Sequence, residues 1–298
     1  MSQDDSPVTI YDRLNQSVTT NLFYYQKKKY MTKKERNIEH EITLVISSKN
    51  SNDIADSIAG LNSISGYILR PAENKNIYDI YYDTKDHLLM RSKLSLRIRN
   101  IEGAWLCTFK GKSSLADSGG IIRKEIELPW SKDNIKTILI ELETKGIYLP
   151  NWEKIDQTKI PRKAMALLGL IIIQKRETLR TIRNIVDPND KNGIILAELA
   201  IDRTIYQLQK QEVYHYEIEI EEKNPGNGKL LKQVYNELFK KYKKSALKWR
   251  YNKLSIGKAL EHLEKEGSIQ NIIYPGNNLK PVAYKRIKKY LDQNRTNK

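Results

Sequence analysis

The sequence of 298 residues contains a single cysteine, and this scarcity excludes whole classes of protein. Cys107 has no second cysteine with which to form an internal disulfide, so we expect it to be a core residue. The four histidines are scattered, and no His/Cys cluster has the spacing of a zinc site. A small fold stabilised by disulfides or by zinc is therefore excluded.

Long apolar runs are also absent. The longest clean run is "LLGLIII" at 167–173, whereas a membrane-spanning helix needs roughly 20 apolar residues. The polar start "MSQDDSPVTI" does not resemble a signal peptide. Together these features predict a cytoplasmic protein with no membrane partner.

Acidic residues are few relative to basic ones. With 52 Lys+Arg against 36 Asp+Glu, the formal net charge is +16. Such an excess indicates a polyanionic partner, which could be nucleic acid, an acidic membrane surface or a phosphate chain. The alternative is lysine used simply as a solvated surface residue. The total charge does not distinguish these interpretations, so the positions of the charged residues must be considered.

The hydrophobic content of 39% is enough to build a core, and its pattern divides the chain into three parts. Residues 1–35 are predicted to be a polar extension that carries "YYQKKKY" (24–30), and 266–298 a basic, turn-rich tail. Residues 36–265 are predicted to form one β-rich domain. Eight segments have the composition or the period-two alternation of strands: 38–46, 77–83, 94–101, 104–111, 121–129, 170–180, 194–205 and 213–222.

Helix-like stretches lie between and after these strands, at 52–61, within 131–169, at 229–242 and at 255–266. Eight mainly antiparallel strands usually close into a barrel, and the helices would pack outside it. The sequence therefore predicts an α+β protein: an eight-stranded, mainly antiparallel β-barrel with flanking helices.

Charged residues share one face of each predicted strand, because side chains alternate between the two faces. "IEHEITL" puts Glu39 and Glu41 on one face, and "LSLRIR" does the same for Arg97 and Arg99. The other strands align further groups in the same way: Thr108 with Lys110; Arg123 with Glu125 and Glu127; Gln174 with Arg176 and Arg180; Glu198 with Asp202; and Glu217 with Glu219 and Glu221. His40 and His215 are predicted to lie on the outer faces of their strands, out of phase with the glutamates.

Two interpretations compete for these charged faces. A half-exposed antiparallel sheet normally alternates apolar and polar residues, which would leave the charges in solvent. Here, however, carboxylate pairs and Arg/Lys pairs segregate by strand with little neutral filler. If the sheet closes with these faces inward, like charges crowd together, which is costly unless metal ions satisfy the carboxylates and an anion satisfies the bases. A metal-bound phosphate chain supplies both.

The order of these motifs resembles the CYTH domain of the triphosphate tunnel metalloenzymes. The resemblance rests on Glu-x-Glu in the first strand, "YYDT", "LRIR", a Thr-x-Lys strand, Arg-x-Glu-x-Glu, a basic strand, "ELAID" and Glu-x-Glu-x-Glu. It covers roughly residues 36–265, which would then be a CYTH-like tunnel domain. That superfamily includes inorganic and thiamine triphosphatases, class IV adenylyl cyclases and RNA triphosphatases.

The resemblance implies an eight-stranded tunnel that binds a triphosphate through inward-facing bases and one or two Mg²⁺ or Mn²⁺ ions. The implied metal ligands are Glu39, Glu41, Glu217 and Glu219. The implied phosphate-binding residues are Arg97, Arg99, Lys110, Arg123, Arg176 and Lys253. Glu125 and Glu127 are candidates for orienting the attacking water, with Lys110 as a third catalytic candidate. Possible further site residues are Glu198, Asp202, Arg180 and Glu221.

The sequence departs from the family pattern at three positions. Thr43 stands where the first motif usually ends in Lys, and Gln174 stands where the basic strand often carries Lys. "NKLSIG" (252–257) retains Lys253 and Gly257 of a "SK-x-x-RG" signature, but has Ile256 in place of Arg. Activity is thus less firmly implied than fold, and a non-catalytic module that binds polyphosphate or nucleotide is an alternative.

The leading hypothesis is metal-dependent hydrolysis of tripolyphosphate or a nucleoside triphosphate. A class IV type of adenylyl cyclase and an RNA 5′-triphosphatase are the alternative enzymes. RNA is a possible partner because "KYKKSALKWRYNK" (241–253) interleaves bases with aromatic residues. The simpler interpretation of that segment is a helix with Leu247 and Trp249 partly buried and its lysines in water.

Overall fold

The computed structural model describes residues 38–157, 160–224, 226 and 228–296, and the predicted extension at 1–35 lies outside them. The strands are β1 (Ile38–Ile46), β2 (Ser63–Ile64), β3 (Tyr67–Asp83), β4 (Ser95–Ile101), β5 (Ala104–Lys110), β6 (Ser114–Leu115), β7 (Ile121–Pro129), β8 (Ile171–Val186), β9 (Ile195–Gln207), β10 (Glu212–Glu222) and β11 (Ala246–Trp249). The helices are α1 (Ser51–Ala59), α2 (Leu88–Arg91), α3 (Lys132–Glu143), α4 (Pro161–Leu167), α5 (Gly228–Lys241), α6 (Lys253–Lys265) and α7 (Pro281–Thr296). Single 3₁₀ turns cover Trp152–Gln157 and Ile269–Ile272.

Eight of these strands close into a barrel in the order β1-β10-β9-β8-β3-β4-β5-β7, and β7 pairs with β1 again. The seven neighbouring pairs in this order are antiparallel. The remaining short strands extend the edges, with β11 on β1, β6 on β7 and β2 on β3. The predicted α+β fold, an eight-stranded antiparallel barrel with flanking helices, is confirmed.

The seam between β7 and β1 requires a glycine. A Cβ on Gly120, just before β7, would stand 2.5 Å from the backbone oxygen of Glu41 and 2.7 Å from Ile42 Cγ1. Real Cβ atoms essentially never approach backbone that closely, so only glycine lets the two strands meet here. β11 pairs with residues 43–46 of β1, so only the first half of β1 is available to pair with β7.

Helices cover the apolar outer face of the barrel and so force the charged face inward. α1 and α5 pack over a buried cluster that includes Leu44, Leu199 and Ile218. α3 and α4 cover a second cluster, around Leu96 and Ile98. α6 and α7 differ, because their cluster contains Val45, Tyr206 and Val213, which have the same parity as the charged residues and so lie on the inner face of the barrel. Because the outer face is apolar and covered, the alternating polar side chains have only the interior left.

The eight predicted strands correspond to the eight barrel strands, and 38–46 and 121–129 agree to the residue, whereas the short strands β2, β6 and β11 were not predicted. The largest difference is β3, which begins ten residues before the predicted start at 77. Its first half, "YILRPAENKN", contains Pro and Asn, and the register shifts between Pro71 and Asn74. Pairing with the second half of β8 holds this polar segment extended, and local composition does not reveal such pairing.

Two predictions for the C-terminal region were wrong. The segment around 241–253 is not one helix, because β11 adds Ala246–Trp249 to the edge of β1. Leu247 and Trp249 are nevertheless half-buried, as predicted. The region after Gly267 is not only turns, because α7 forms with Ala283, Tyr284 and Ile287 buried. Cys107 is fully buried, as expected. Among the described residues, no helix is both long and apolar enough to cross a bilayer.

Candidate active site

The inward faces of the eight strands bring the predicted charged residues together in one interior, called the tunnel below. Contacts between strands that are not neighbours show this directly. Arg97 on β4 reaches past β5 to Glu127 on β7, with 3.2 Å between Nη2 and Oε2. Arg180 on β8 reaches past β9 to Glu219 on β10, at 2.6 Å. Because the pairing of β7 with β1 closes the sheet, these contacts lie within one enclosed interior.

Three arginines gather around one carboxylate on β3. Arg99 donates to Asp79 from Nε at 2.8 Å and from Nη2 at 3.1 Å. Arg176 donates to the same carboxylate at 3.2 Å, and Arg97 lies 3.5 Å from it. Both Arg97 and Arg176 also donate to the hydroxyl of Tyr81, at 3.2 and 2.5 Å. This basic wall therefore brings together three of the predicted phosphate-binding residues.

Two buried donors in this wall have no partner. The Nε atoms of Arg97 and Arg176 are inaccessible to solvent and make no hydrogen bond within the described part of the chain. A buried unpaired donor on a charged group costs free energy, so such groups in a native structure call for an explanation. A bound anion supplies one, because phosphate oxygens accept from the guanidinium fork.

The seam between β1 and β7 carries a second group of ion pairs. Arg123 donates to Glu39 at 2.5 Å and to Glu41 at 2.9 Å. Lys110 lies 3.0 Å from both Glu39 and Glu125. Two predicted metal ligands, Glu39 and Glu41, therefore pair with predicted phosphate-binding residues.

The third group lies where α6 meets the barrel. Asn252 caps this helix by accepting from Ser255 N at 2.8 Å, which fixes its first turn at the tunnel wall. Lys253 then reaches Glu217 at 2.7 Å, Glu219 at 2.5 Å and Asp202 at 3.0 Å. Arg180 lies 2.6 Å from Asp202. Lys253 is thus paired with carboxylates in the tunnel, although its assignment as a phosphate-binding residue stays a prediction.

The pKa values of the tunnel carboxylates differ because some carboxylates lie beside more Lys and Arg side chains than others do. Burial raises the pKa of Glu39, but Lys110 and Arg123 outweigh it and hold the value well below normal. Burial and the charge of Glu39 raise the pKa of Glu41 well above normal, despite Arg123, and Glu219 adds to the rise. Burial likewise raises the pKa of Glu221. Some carboxylate charge in the tunnel is therefore not compensated by the bases.

The predicted metal ligands suit Mg²⁺ or Mn²⁺ in chemistry and charge. Among residues that the structure describes, no three Asp, Glu, His or Cys side chains stand together as a ligand group, because the glutamates pair with bases. The donors are all carboxylate oxygens, which these hard ions prefer. The charge of Glu219 contributes to the raised pKa of Glu41, so the glutamates of β1 and those of β10 are close enough to interact electrostatically. A divalent cation would supply the missing positive charge there.

The residues that depart from the family pattern have other partners. Gln174 donates from its amide to Leu254 O at 3.1 Å, so it helps to hold α6 at the barrel. Ile256 is fully buried in the apolar cluster beside Val45. Thr43 is buried on β1, opposite Glu219 in register. Two of the three substitutions thus contribute to packing α6.

The sequence analysis missed three members of the site. Asp79 and Tyr81 share the inward parity of β3, and the alternation in "YDIYYD" contains this signal. The prediction that His215 faces outward was wrong: it has the same parity as Glu217 and contacts that carboxylate at 2.7 Å. His40 does lie on the outer face, where it contacts Glu222 and Ser118 at 2.8 Å. Glu198 and Glu221 share Lys223 at the end of β10.

Comparison with known proteins agrees with this geometry. The CYTH domain family model matches residues 27–248. The chain belongs to the CYTH family. No curated protein sequence matches this CYTH protein significantly.

Solved structures provide distant likenesses to this CYTH protein. A candidate adenylyl cyclase from Hippeastrum with a dominant triphosphatase activity is 16% identical, with a TM-score of 0.48, and the match covers 74% of this chain and 95% of that one. A candidate adenylate cyclase from Bacillus halodurans is 18% identical, with a TM-score of 0.40 and coverages of 73% and 97%. The Mimivirus capping enzyme triphosphatase is 13% identical, with a TM-score of 0.31 and coverages of 68% and 88%.

Proposed function

We propose that this CYTH protein is a metal-dependent hydrolase whose substrate is tripolyphosphate or a nucleoside triphosphate bound in the tunnel. The observation that carries the proposal is the basic wall. Arg97, Arg99 and Arg176 converge in a closed interior, and two of their donors lack partners among the residues that the structure describes. A linear phosphate chain has more acceptor oxygens than the single Asp79 carboxylate that these arginines share, so it can satisfy more of their donors at once.

Binding of the phosphate chain exchanges internal ion pairs for external ones. Arg97 and Arg176, which pair with Asp79, would donate to phosphate oxygens instead. Lys110 and Arg123, which pair with Glu39, would do the same. The glutamates that lose their bases are Glu39, Glu41, Glu217 and Glu219, and they would hold Mg²⁺ or Mn²⁺. The metal would neutralise charge that develops on the phosphate oxygens. In the tunnel, the basic side chains would thus bind the phosphate chain while the carboxylates bind the metal.

Glu125 is the better candidate for activating water. Burial and the charge of Glu39 raise its pKa to about 7, so it accepts a proton near neutral pH. Glu127 is a poor base, because Arg99 and Arg97 overcome its burial and lower its pKa to about 2. The protein's contribution is then positioning and electrostatic stabilisation, with Glu125 orienting and deprotonating the attacking water.

Product analysis tests the proposal. The purified protein is incubated with tripolyphosphate, ATP and 5′-triphosphorylated RNA, each with Mg²⁺, with Mn²⁺ or with EDTA. Phosphate released from tripolyphosphate or ATP, only with metal, supports the hydrolase. Cyclic nucleotide from ATP would instead identify a cyclase, and binding without any product would identify a non-catalytic module.

An RNA 5′-triphosphatase is the second candidate, favoured by one surface. The end of α5 and the strand β11 expose Lys240, Lys241, Lys243, Lys244 and Lys248. Lys248 lies 5.2 Å from the ring centre of Phe239 and 5.8 Å from that of Tyr235. Exposed bases beside half-buried aromatic rings are typical of surfaces that bind single strands. This surface is called the α5–β11 basic face below.

A further inference from the structure

The segment beyond residue 248 lies outside the family match, yet it reaches the tunnel wall. Residues 277–279 attach to the start of β10, where Tyr214 N donates to Asn277 O at 2.9 Å and Leu279 N to Tyr214 O at 3.3 Å. Ser47 Oγ donates to Leu279 O at 3.2 Å. These bonds fix the start of α7 against the barrel. The C-terminal helix is therefore part of the domain that builds the site.

A chain of hydrogen bonds runs from α7 into the tunnel. The Tyr284 hydroxyl lies 2.9 Å from His215 Nδ1, and His215 Nε2 lies 2.7 Å from Glu217 Oε2. The other oxygen of Glu217 accepts from Lys253 Nζ at 2.7 Å. The side chains of Tyr284, His215 and Glu217 are at most 3% exposed. Water therefore does not compete for these bonds.

Only one arrangement of protons satisfies this chain with a neutral imidazole. A carboxylate oxygen accepts and does not donate, so His215 Nε2 must carry the proton that it shares with Glu217. Nδ1 is then an acceptor, and the Tyr284 hydroxyl is the group that donates to it. Burial raises the pKa of Tyr284 well above normal, so the hydroxyl keeps this proton. Glu217 thereby sets the tautomer in which His215 donates to it, and the Tyr284 hydroxyl holds the ring in place by donating to Nδ1.

We propose that Tyr284 is a positioning residue, which fixes Glu217 through His215 so that this carboxylate is aligned for its divalent cation. The inference rests on the proposed function, in which Glu217 is one of the metal ligands. It assigns a role in the site to α7, which lies outside the family match. Hydrogen bonds that orient metal-binding side chains typically change affinity or activity 10- to 100-fold, by a general rule for such partners.

The ring of Tyr284 is held independently of its hydroxyl. It packs edge-on against Trp249, with 5.2 Å between ring centres, and it belongs to the apolar cluster beneath α6 and α7. Tyr284→Phe therefore keeps the packing and removes the hydroxyl, which contacts His215 at 2.9 Å and Ile46 O at a longer 3.5 Å. A purely structural role predicts a small loss of thermal stability and nothing more.

The test compares Tyr284→Phe with the wild type and with Tyr290→Phe. Tyr290 is on the same helix and stacks on His262, away from His215. Mn²⁺ affinity is measured by EPR titration, and kcat and KM are measured with tripolyphosphate. We expect Tyr284→Phe to weaken Mn²⁺ binding and lower kcat by roughly 10-fold, with KM little changed, and Tyr290→Phe to leave all three unchanged. Equal Mn²⁺ affinity and kcat in Tyr284→Phe and wild type would overturn the proposal.

Rescue through His215 gives a second readout. Glutamine places an amide nitrogen close to the position of the imidazole Nε2, so His215→Gln retains a donor to Glu217 without needing Tyr284. We expect His215→Gln to bind Mn²⁺ more tightly than His215→Leu, and Tyr284→Phe to have little further effect when added to His215→Gln. An additive effect in that double variant would contradict the relay.

Failure of the inference and failure of the proposed function give different results. If the wild type neither binds Mn²⁺ nor hydrolyses a triphosphate, the proposed function fails. The relay is then judged by the ¹⁵N chemical shifts of His215, since the chain has only four histidines to assign. A wild-type Nδ1 shift typical of a hydrogen-bonded acceptor that moves to the unbonded value in Tyr284→Phe supports the relay, and an Nδ1 shift that is the same in both proteins overturns it.

Discussion

Glu125 and Glu127 are two residues apart on the same inward face of β7, yet their surroundings separate their pKa values. Burial and the charge of Glu39 raise the pKa of Glu125 to about 7. Arg99 and Arg97 outweigh burial at Glu127 and lower its pKa to about 2. Neighbouring carboxylates with such different values are suited to different roles, one as a proton acceptor and one as a permanent charge.

This difference predicts the pH dependence of catalysis. A base must be deprotonated to act, so kcat/KM should rise with pH and level off above about 7, the pKa of Glu125 in the free enzyme. Glu125→Gln should remove this rising limb of the pH profile and lower kcat/KM by roughly 100-fold or more, the usual contribution of a general base. Glu127→Gln is the matched control, and it should lower activity while the limb remains. A limb that survives in Glu125→Gln would assign the titration to another group.

Glu41 allows a test of metal binding at a single side chain. Burial and the charge of Glu39 raise its pKa despite Arg123, and a divalent cation bound there would offset both effects. Glu41→Gln keeps the shape and removes the charge, and we expect Mn²⁺ binding and turnover to fall severely. Glu177→Gln, on the exposed face of β8, should change neither. Turnover that persists in EDTA would contradict metal dependence altogether.

Sequence parity predicted which charged residues point inward, because each alternating strand carries that information locally. It did not predict their partners. Arg99 and Arg176 pair with Asp79, but a lone aspartate between tyrosines gives no sign of three arginines around it. His215 was assigned to the wrong face although its spacing from Glu217 is two residues. Pairing depends on contacts between distant strands, which the local pattern does not contain.

Among the elements, the β1–β7 seam decides whether the barrel is closed. Gly120→Ala places a methyl group against the backbone of Glu41, and that backbone cannot yield as a flexible side chain does. We expect the free energy of unfolding to fall by about 1–3 kcal/mol, as for overpacked sites, and tripolyphosphate binding to weaken. Urea denaturation and calorimetric titration measure these effects. Gly111→Ala is the control, because its nearest neighbour would be at an ordinary 3.4 Å; equal losses in both variants would argue against a critical seam.

The elements that the sequence did not reveal are those stabilised by tertiary contacts. β11 is four residues in a lysine-rich stretch, and its strand conformation comes from pairing with Thr43–Ile46. α7 buries Ala283, Tyr284 and Ile287, but four exposed bases between and after them gave the segment the composition of a basic tail: Lys285, Arg286, Lys288 and Lys289. Longer strands such as β1 and β7 were predictable because their alternation lasts nine residues.

For the whole molecule, charge is distributed unevenly between the tunnel and the surface. In the tunnel carboxylates outnumber bases, counting Glu39, Glu41, Asp79, Glu125, Glu127, Asp202, Glu217 and Glu219 against Arg97, Arg99, Lys110, Arg123, Arg176, Arg180 and Lys253. The net charge of +16 must therefore come from residues outside the tunnel. An excess of basic charge outside the tunnel is consistent with a polyanionic partner that extends beyond the tunnel.

We expect the α5–β11 basic face to distinguish short substrates from long ones. In the proposed function tripolyphosphate would lie within the tunnel, whereas RNA would continue across the surface. Lys27, Lys28 and Lys29 of "YYQKKKY" could also contact a long polyanion, but they lie outside the described residues, so the test uses the face itself. Neutralising Lys240, Lys241, Lys243, Lys244 and Lys248 to Gln should leave tripolyphosphate hydrolysis nearly unchanged. The variant should bind 5′-triphosphorylated RNA more weakly.

Salt dependence shows whether the effect is direct. Each phosphate contact with a single strand contributes roughly 0.7 to the slope of log affinity against log salt concentration, so losing three contacts should flatten the slope by about 2. The control neutralises five other exposed lysines, Lys93, Lys154, Lys163, Lys175 and Lys191, which changes the net charge equally. If both variants flatten the slope alike, the effect is one of overall charge and the face has no special role. If neither does, the surface lysines are solvated charges and the small-molecule triphosphatase is favoured. Only a flatter slope for the α5–β11 variant alone supports RNA as the substrate.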